Sequence, residues 1–210
     1  MRCIVPIVEG DGEVKAVPIL LHRTLEYMQK WQIRISYPPI NAHGIGNLLK
    51  EGGLEKFLKL AIRRDYCYGI IVIIDADTYC ARDVAMGLAK RALNHNPHIP
   101  TAIVAAKYRY ENWFLASIET IKEYHIFRKD MPIIYEPESI PDPIRWLEKH
   151  MDQRRAYRET MDQEELTKKI NLDLALERSR SFKRLFHATE ELLNSISSGI
   201  AKISPMKNYV

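Results

Sequence analysis

Residues 70–77 have the sequence Ile-Ile-Val-Ile-Ile-Asp-Ala-Asp, in which five β-branched apolar residues lead directly into two aspartates. An apolar run of this length is too short for a helix and predicts a buried strand. Residues 4–8, Ile-Val-Pro-Ile-Val, predict a second buried strand, and Glu9 follows it. Strands that are apolar along their whole length are typical of parallel sheets with both faces covered.

The rest of the first half alternates between strand and helix patterns. Residues 33–37, 69–74 and 101–106 predict strands, and residues 13–30, 48–63 and 81–94 predict helices. Such alternation is typical of βαβ units. We therefore predict an α/β fold with a mostly parallel sheet flanked by helices, and the resemblance described below makes it Toprim-like.

The second half has a different pattern. After Glu111 only residues 131–135 predict a strand, and helices are predicted over residues 143–151 and 164–196. Asp162, three residues before Glu165, has the spacing of a capping box. The connector contains prolines at positions 132, 137, 141 and 143. We predict an α/β domain over residues 1–140 and a helical C-terminal extension over residues 141–210 that docks on it.

Composition limits the class of protein. A chain of 210 residues with 46% hydrophobic residues is long enough for one sizeable core. The 31 basic and 27 acidic residues give a net charge of +4, which permits nucleic-acid binding without arguing strongly for it. Three cysteines without a C-x-x-C spacing indicate reduced thiols, so we expect a cytoplasmic protein. No apolar run approaches the length of a membrane span, and no membrane partner is expected.

Three acids follow the two apolar strands. Glu9 comes after the first, and Asp75 and Asp77 come after the other. The carboxyl ends of parallel strands meet at one edge of a sheet, and alternate strand residues face the same way, so these acids are expected to converge. Carboxylate oxygens are the ligands that Mg²⁺ requires. The alternative for any one of them is an acid that caps the next helix or lies in solvent.

This arrangement resembles the Toprim catalytic domain, which has a glutamate after its first strand and an aspartate-x-aspartate after a later one. That domain is shared by topoisomerases, bacterial primases, small RNA-maturing nucleases and the overcoming-lysogenization-defect nucleases. More narrowly, the chain resembles a Toprim-like bacterial family of unknown function that is often encoded beside ABC-type ATPases in suspected phage-defence loci. The segments that carry this resemblance begin at Val8, Asp75, Tyr110, Asp162 and Ser179; they are Val-Glu-Gly-Asp-Gly-Glu, Asp-Ala-Asp, Tyr-Glu-Asn-Trp-Phe-Leu-Ala, Asp-Gln and Ser-Arg-Ser-Phe.

The resemblance implies a catalytic role for Glu9, Asp75 and Asp77 with Mg²⁺ or Mn²⁺, Glu9 being a metal ligand or a general base. It implies that Glu13 is a ligand for a second metal; the alternative is an acid that stabilises a helix N-terminus. Glu111 is implied to be a further ligand or an orienting acid, and the alternative is a helix-start glutamate beside a core tryptophan.

Two groups of basic residues are candidates for nucleic-acid binding. Lys107 and Arg109 follow the strand at 101–106, where they could stabilise charge on a phosphate; a solvated strand end explains them equally well. The second group is the densest basic run of the chain and could contact a nucleic-acid backbone. The alternative is a solvated helix face. The members of this second group are Arg178, Arg180, Lys183 and Arg184.

The function expected from the resemblance is a metal-dependent nuclease, as the effector of a defence system with an ATPase partner. An RNA-processing nuclease is the first alternative. The second is a catalytically silent subunit that keeps the fold and binds the ATPase. The expected partners are nucleic acid, DNA or RNA, and an ABC-type ATPase, and self-association into a homo-oligomer is compatible with the sequence.

Overall fold

The structure is a computed structural model and describes residues 2–152 and 155–206. Its strands are β1 (Arg2–Val8), β2 (Ile33–Ile35), β3 (Ile40–Asn41), β4 (Cys67–Asp75), β5 (Thr101–Ala106) and β6 (Ile203–Ser204). The helices of the first half are α1 (Glu13–Tyr27), α2 (Ile45–Leu49), α3 (Gly53–Ile62) and α4 (Ala81–His95). Those of the second half are α5 (Asn112–Leu115), α6 (Ile118–Ile121), α7 (Pro143–Lys149), α8 (Glu164–Lys169), α9 (Leu172–Arg178) and α10 (Arg180–Ser198).

The sheet has the strand order β2-β1-β4-β5-β6. On the same side of β1, β2 pairs with its first half and β3 pairs with its last residues. All of these pairings are parallel. Alternate strand residues belong to two separate cores: Ile71 and Ile73 pack with α1 and α10, whereas Ile70 and Val72 pack with α3 and α4. Because both faces are covered, the strands are apolar throughout. The predicted α/β class is confirmed.

The direction of winding reverses between β1 and β4. From β1 the chain passes through α1, on one face, to β2; from β3 it passes through α3, on the opposite face, to β4 on the other side of β1. In open α/β sheets such a reversal leaves a crevice at the carboxyl ends of the two strands, where ligands bind. Glu9 and Asp75 lie at these two ends.

The helix predicted over residues 48–63 is two helices. Lys50 has an extended backbone and Gly52 has a φ of 70°, a conformation that glycine adopts without steric cost. A Cβ at Gly53 would lie 2.0 Å from the carbonyl oxygen of Asn47, so the two helices meet at a distance that only glycine permits.

The helix predicted over residues 164–196 is interrupted twice. The side chain of Asn171 accepts the N–H of Leu174 and starts α9, and the side chain of Ser179 accepts the N–H of Phe182 and starts α10. Each of these residues is an N-cap, which stabilises a helix start. An apolar stripe of α10 that includes Phe182 and Leu192 is buried, as expected for an extension that docks on the α/β domain.

The strand predicted over residues 131–135 is wrong. Met131 is buried, but Ile133 and Tyr135 are 40% and 70% exposed and the segment pairs with no strand among the described residues. Pro132 lacks the N–H that a strand ladder needs, which accounts for the irregular path. The short strand β3 was not predicted from the sequence.

The C-terminal helices pack against the sheet, and α10 lies on β4 and β5. The short strand β6 pairs with β5 and extends the sheet at that side. One core combines residues from both sides of position 140, among them Ile71, Trp113, Leu166 and Phe182. The division at residue 140 stays a prediction. Within the described ranges, the helices all lack the length or apolarity needed to cross a membrane.

Replacing Gly53 with alanine tests the close approach of α2 and α3. The new methyl group would meet a backbone oxygen at 2.0 Å, so we expect a loss of unfolding free energy of about 1–3 kcal/mol. Gly87→Ala in α4 is the matched control, because the added Cβ has open space and alanine is favoured in a helix by ~1 kcal/mol. Urea unfolding measures both; equal stability of the two variants would contradict the packing described.

Candidate active site

The loops that leave β1, β3, β4 and β5 meet at one edge of the sheet. The N–H of Gly44 donates to the carbonyl of Glu9 at 2.8 Å, and the N–H of Asp77 donates to the carbonyl of Tyr108, also at 2.8 Å. His43, Asp77 and Tyr108 have positive φ angles of 55°, 44° and 61°. Such left-handed backbone conformations are uncommon outside glycine and concentrate at functional sites.

Glu9 connects the ends of the two central strands. Its Oε2 accepts the backbone N–H of Asp75 at 2.9 Å, which fixes the half-buried carboxylate beside β4. Burial raises the pKa of Glu9, and the charges of Glu13 and Asp77 raise it further, while backbone N–H groups of Asp75 and Ile45 oppose the rise. The predicted approach of Glu9 to Asp75 is therefore present in the structure.

Asp75 is the last residue of β4 and is buried, with 9% of its surface exposed. Its Oδ1 accepts the N–H of Tyr110 at 2.8 Å. Burial raises its pKa well above the usual range, and the nearby charges of Glu111, Glu13 and Glu9 act in the same direction. Asp75 thus lies within a group of acids.

Glu13 is buried in the first turn of α1, and its Oε2 accepts the N–H of Gly10 at 2.9 Å. This bond is of the kind expected for an acid that stabilises the start of a helix. Burial raises the pKa of Glu13, and the charge of Glu159 raises it further. Glu13 therefore combines the structural role with membership of the acid group.

Glu111 is 1% exposed and sits just before α5. Its Oε1 accepts the O–H of Tyr157 at 3.0 Å and the side-chain N–H of Gln163 at 3.2 Å. Burial raises the pKa of Glu111 to about 7. Glu111 is therefore a helix-start residue beside the buried Trp113, which was the alternative considered from the sequence, and it is also part of the acid group.

Asp77 reaches the site by a different route from the one expected. Strand β4 ends at Asp75, so the alternation of strand side chains does not align the two aspartates. The left-handed turn at Asp77 instead leaves its side chain 36% exposed, with Oδ1 3.4 Å from the guanidinium of Arg109. The expectation that Asp75 and Asp77 share one strand face is wrong, although Asp77 is near enough to raise the pKa of Glu9.

A C-terminal segment that was assigned no role from the sequence covers the acids. Tyr157 and Gln163 bond to Glu111, and the charge of Glu159 raises the pKa of both Glu13 and Glu111. Asp162-Gln163 was among the motifs, but only the structure brings it to this edge. A Cβ at Gly12 would lie 2.3 Å from Oε1 of Gln163, so this glycine leaves room for the segment.

Asp162 supports this segment and does not cap α8, so the capping-box prediction is wrong. Its carboxylate is buried, bonds to the guanidinium of Arg155, and accepts the backbone N–H of Arg158 at 2.8 Å. These bonds close the π-helical turn Glu159–Gln163 that precedes α8. Asp162 therefore positions Gln163 and Glu159 over the acid group.

The acid group is not arranged as a preformed metal cage. Within residues 2–152 and 155–206, no three or more His, Cys, Asp or Glu side chains are placed so that they could hold a metal ion together. The chemistry of the donors nevertheless suits a hard cation, because all five candidates, Glu9, Glu13, Asp75, Asp77 and Glu111, offer carboxylate oxygens. A carboxylate that accepts one backbone N–H keeps further lone pairs for coordination.

The basic candidates fall into two groups. Near the acids, Lys107 lies over the ring of Tyr108 at 4.0 Å, and Arg109 is beside Asp77. At α10, Arg180 and Lys183 are exposed.

Two further basic candidates are held by internal bonds. Arg178 pairs with Glu119 at 2.8 Å and with the carbonyl of Ala116. Arg184 bonds to Glu191 and Ser204. Their side chains are 11% and 33% exposed, so Arg178 has the least surface to offer a ligand.

Glu111→Gln tests the cost of burying the acids. A folded-state pKa of about 7, above the ordinary 4.5, means that the folded protein binds this proton more tightly than the unfolded chain. The resulting stability is present below pH 4.5 and is lost as pH rises through about 7. In Glu111→Gln the loss across this window should shrink by on the order of 3 kcal/mol.

The measurement is urea unfolding in chelator at a series of pH values. Glu190→Gln makes the same change at an exposed position of α10 and should keep the pH dependence of the wild type. A pH dependence in Glu111→Gln identical to that of the wild type would show that Glu111 does not carry this proton.

Comparison with known proteins assigns the chain to a family of unknown function. Residues 8–190 match a family described as a domain of unknown function, DUF4276. No curated protein and no solved structure matches the chain significantly. The matched region runs from the end of β1 into α10 and includes every acid of the site and the segment that covers them. The chain therefore belongs to the DUF4276 family.

Proposed function

We propose that the protein is a nuclease that hydrolyses phosphodiester bonds with Mg²⁺ or Mn²⁺. The observation that supports this proposal is the convergence of Glu9, Asp75 and Glu13 at the crevice between β1 and β4: the carboxylate of Glu9 accepts the N–H of Asp75, and the charges of Glu9 and Glu13 both raise the pKa of Asp75. Open α/β sheets bind their ligands at such a crevice. Arg109 lies beside Asp77, but burying Asp75, Glu13 and Glu111 close together is still costly, and a divalent cation would offset that cost.

The proposed chemistry assigns a task to each residue. A bound divalent cation would polarise the phosphate and lower the pKa of a water molecule. Glu9 and Asp75 would hold it, and Glu9, with its raised pKa, also suits the general base that accepts the proton of that water. Arg109 and Lys107, beside the acids, would stabilise negative charge developing on the phosphate.

The C-terminal segment would position this machinery. Tyr157 and Gln163 donate to Glu111, and Glu111 is the neighbour that acts most strongly on Asp75. Such bonds fix the orientation of a carboxylate, as the partners of metal ligands commonly do. Tyr157, Gln163 and Glu111 are therefore proposed as positioning residues.

The family resemblance extends the proposal. A Toprim-like nuclease encoded beside an ABC-type ATPase would act as the effector of a phage-defence system, with the ATPase as its partner. The RNA-processing alternative has the same chemistry and differs in substrate.

A catalytically silent subunit is the competing proposal, and two observations favour it. Asp77 is paired with Arg109 at 3.4 Å, and the described acids do not form a preformed metal cage. Such a subunit would bind the partner ATPase without cleaving nucleic acid.

Cleavage assays separate these proposals. Purified protein with Mn²⁺ should cleave at least one of plasmid, single-stranded DNA and tRNA. Glu9→Gln, Asp75→Asn and Asp77→Asn keep the shape of the side chain and remove a charge, so each should lower the rate by at least ~100-fold. Glu51→Gln, at an exposed turn between α2 and α3, is the control that should retain activity. Wild-type activity in all three site variants would refute the site, and a wild type inactive even with its ATPase would favour the silent subunit.

Thermal unfolding tests cation binding independently of cleavage. Mn²⁺ at 100 times its dissociation constant should stabilise the wild type by about 2.7 kcal/mol. Asp75→Asn should raise the melting temperature of the metal-free protein, because it relieves repulsion within the acid group, and should remove most of the response to Mn²⁺.

Asp65→Asn is the matched control, since Asp65 is exposed and precedes the opposite end of β4. This variant should respond to Mn²⁺ as the wild type does. A metal-induced shift of equal size in the wild type and Asp75→Asn would place the cation elsewhere.

A further inference from the structure

A broad groove of about 1270 Å³ is lined by Thr78 and Lys107, which directly follow Asp77 and the end of β5 in the chain. One wall is the loop from Thr78 into α4, the other is the start of α10, and Ile103 and Ala105 of β5 line it between them. Pockets for small ligands commonly measure about 300–1,000 Å³. The groove is therefore larger than a small-molecule site and suits part of a polymer.

The groove carries more basic than acidic side chains. Its lining includes Arg82, Lys107, Arg180, Lys183, Arg184 and His187, against the acids Glu136 and Glu138. Arg82, Arg180 and Lys183 are exposed. A row of cations along a groove is the electrostatic pattern that binds a nucleic-acid backbone.

Two long helices begin at this groove. α4 has 15 residues and α10 has 19, and the N-terminal ends of both contribute to its walls. Helix N-termini attract anions through their free N–H groups. The start of α10 already receives one anion: Oε1 of Glu138 accepts the N–H of Ser181 at 2.6 Å and the O–H of Ser179 at 2.9 Å.

An exposed aromatic ring lines the groove close to Asp77 in the chain. Tyr79 lines the groove, is 51% exposed and follows Asp77 by two residues. An exposed ring in a basic groove can stack on an unpaired base. In a duplex the base faces are stacked on each other, so a tyrosine at this position favours a single strand.

We infer that this groove binds a single-stranded polynucleotide, with its phosphates along Arg82, Arg180 and Lys183 and a base stacked on Tyr79, and leads it to Asp77. The inference deepens the proposed function, on which it rests, by naming the class of substrate. Glu138 binds the start of α10 at a position where a phosphate of the bound strand would otherwise lie.

Binding is measured by fluorescence anisotropy in chelator, so that no cleavage is needed. The probes are single-stranded DNA and RNA of about 20 nucleotides, longer than the ~4–16 nucleotides that a single-strand groove covers, and the DNA duplex of the same sequence. The wild type should bind at least one single strand more tightly than the duplex. DNA and RNA serve as two arms that identify the preferred polymer.

Charge reversal tests the basic wall. Arg180→Glu with Lys183→Glu should weaken single-strand binding at least ~10-fold and flatten its salt dependence by about 0.7 for each lost contact. Lys56→Glu with Lys59→Glu, at exposed positions of α3 outside the groove, makes the same change in net charge and should have a much smaller effect. Glu138→Gln should strengthen binding, because it removes a negative charge from the groove.

Tyr79→Ala tests the stacking platform. Loss of one stacked base should weaken single-strand binding about tenfold and leave duplex binding unchanged. Tyr66→Ala is the matched control, because Tyr66 is 69% exposed beside the opposite end of β4. Circular dichroism confirms that each variant is folded.

The possible outcomes distinguish failure of the groove inference from failure of the nuclease proposal. Unchanged binding in the charge-reversal variant, unchanged single-strand binding in Tyr79→Ala, or a duplex that binds as tightly as both single strands would overturn the inference. Groove-dependent binding by a wild type that never cleaves would support the groove and refute the nuclease. Cleavage that persists at the wild-type rate in the groove variants would support the nuclease and refute the groove as the substrate path.

Discussion

The hydrogen bond from the backbone N–H of Asp75 to Oε2 of Glu9, 2.9 Å long, joins the ends of the two central strands. It forms where the winding of the chain reverses, between β1 and β4. Because this bond holds the half-buried carboxylate of Glu9 against the end of the strand that carries the buried Asp75, the surrounding structure must tolerate two acids at close range. The left-handed turns at Asp77 and Tyr108 and the covering segment around Gln163 are all arranged about this edge.

The position of the acids at the buried strand ends also determines the electrostatics of the site. Burial is the largest cause of the raised pKa values of Glu9, Glu13, Asp75 and Glu111, and the charge of at least one neighbouring acid raises each of these pKa values further. A fold selected for stability alone would not place these acids together, since unpaired buried charges destabilise a protein. The arrangement supports the proposal of a site that recruits a cation, and the basic lining of the groove supports the inference that a polyanion binds there.

The central strands β1, β4 and β5 and the positions of Glu9 and Asp75 could be predicted from the sequence, because fully apolar runs rich in β-branched residues have few alternatives to buried parallel strands. The place of Asp77 could not, since β4 ends at Asp75 and Asp77, two residues later, has a left-handed backbone conformation that breaks the alternation. The covering role of Tyr157, Glu159 and Gln163 depends on contacts across more than 40 residues of chain, which local patterns do not encode. The breaks at Gly52, Asn171 and Ser179 were marked by glycine or by capping side chains, but the helical periodicity around them was the stronger pattern.

The central claim is that the acids at the β1–β4 crevice bind a divalent cation. It is tested most directly by anomalous diffraction from crystals of the protein grown with Mn²⁺. The account predicts an anomalous peak within coordination distance of the carboxylates of Glu9 and Asp75. Crystals in which Mn²⁺ is bound at another place, while this edge of the sheet carries no peak, would contradict it.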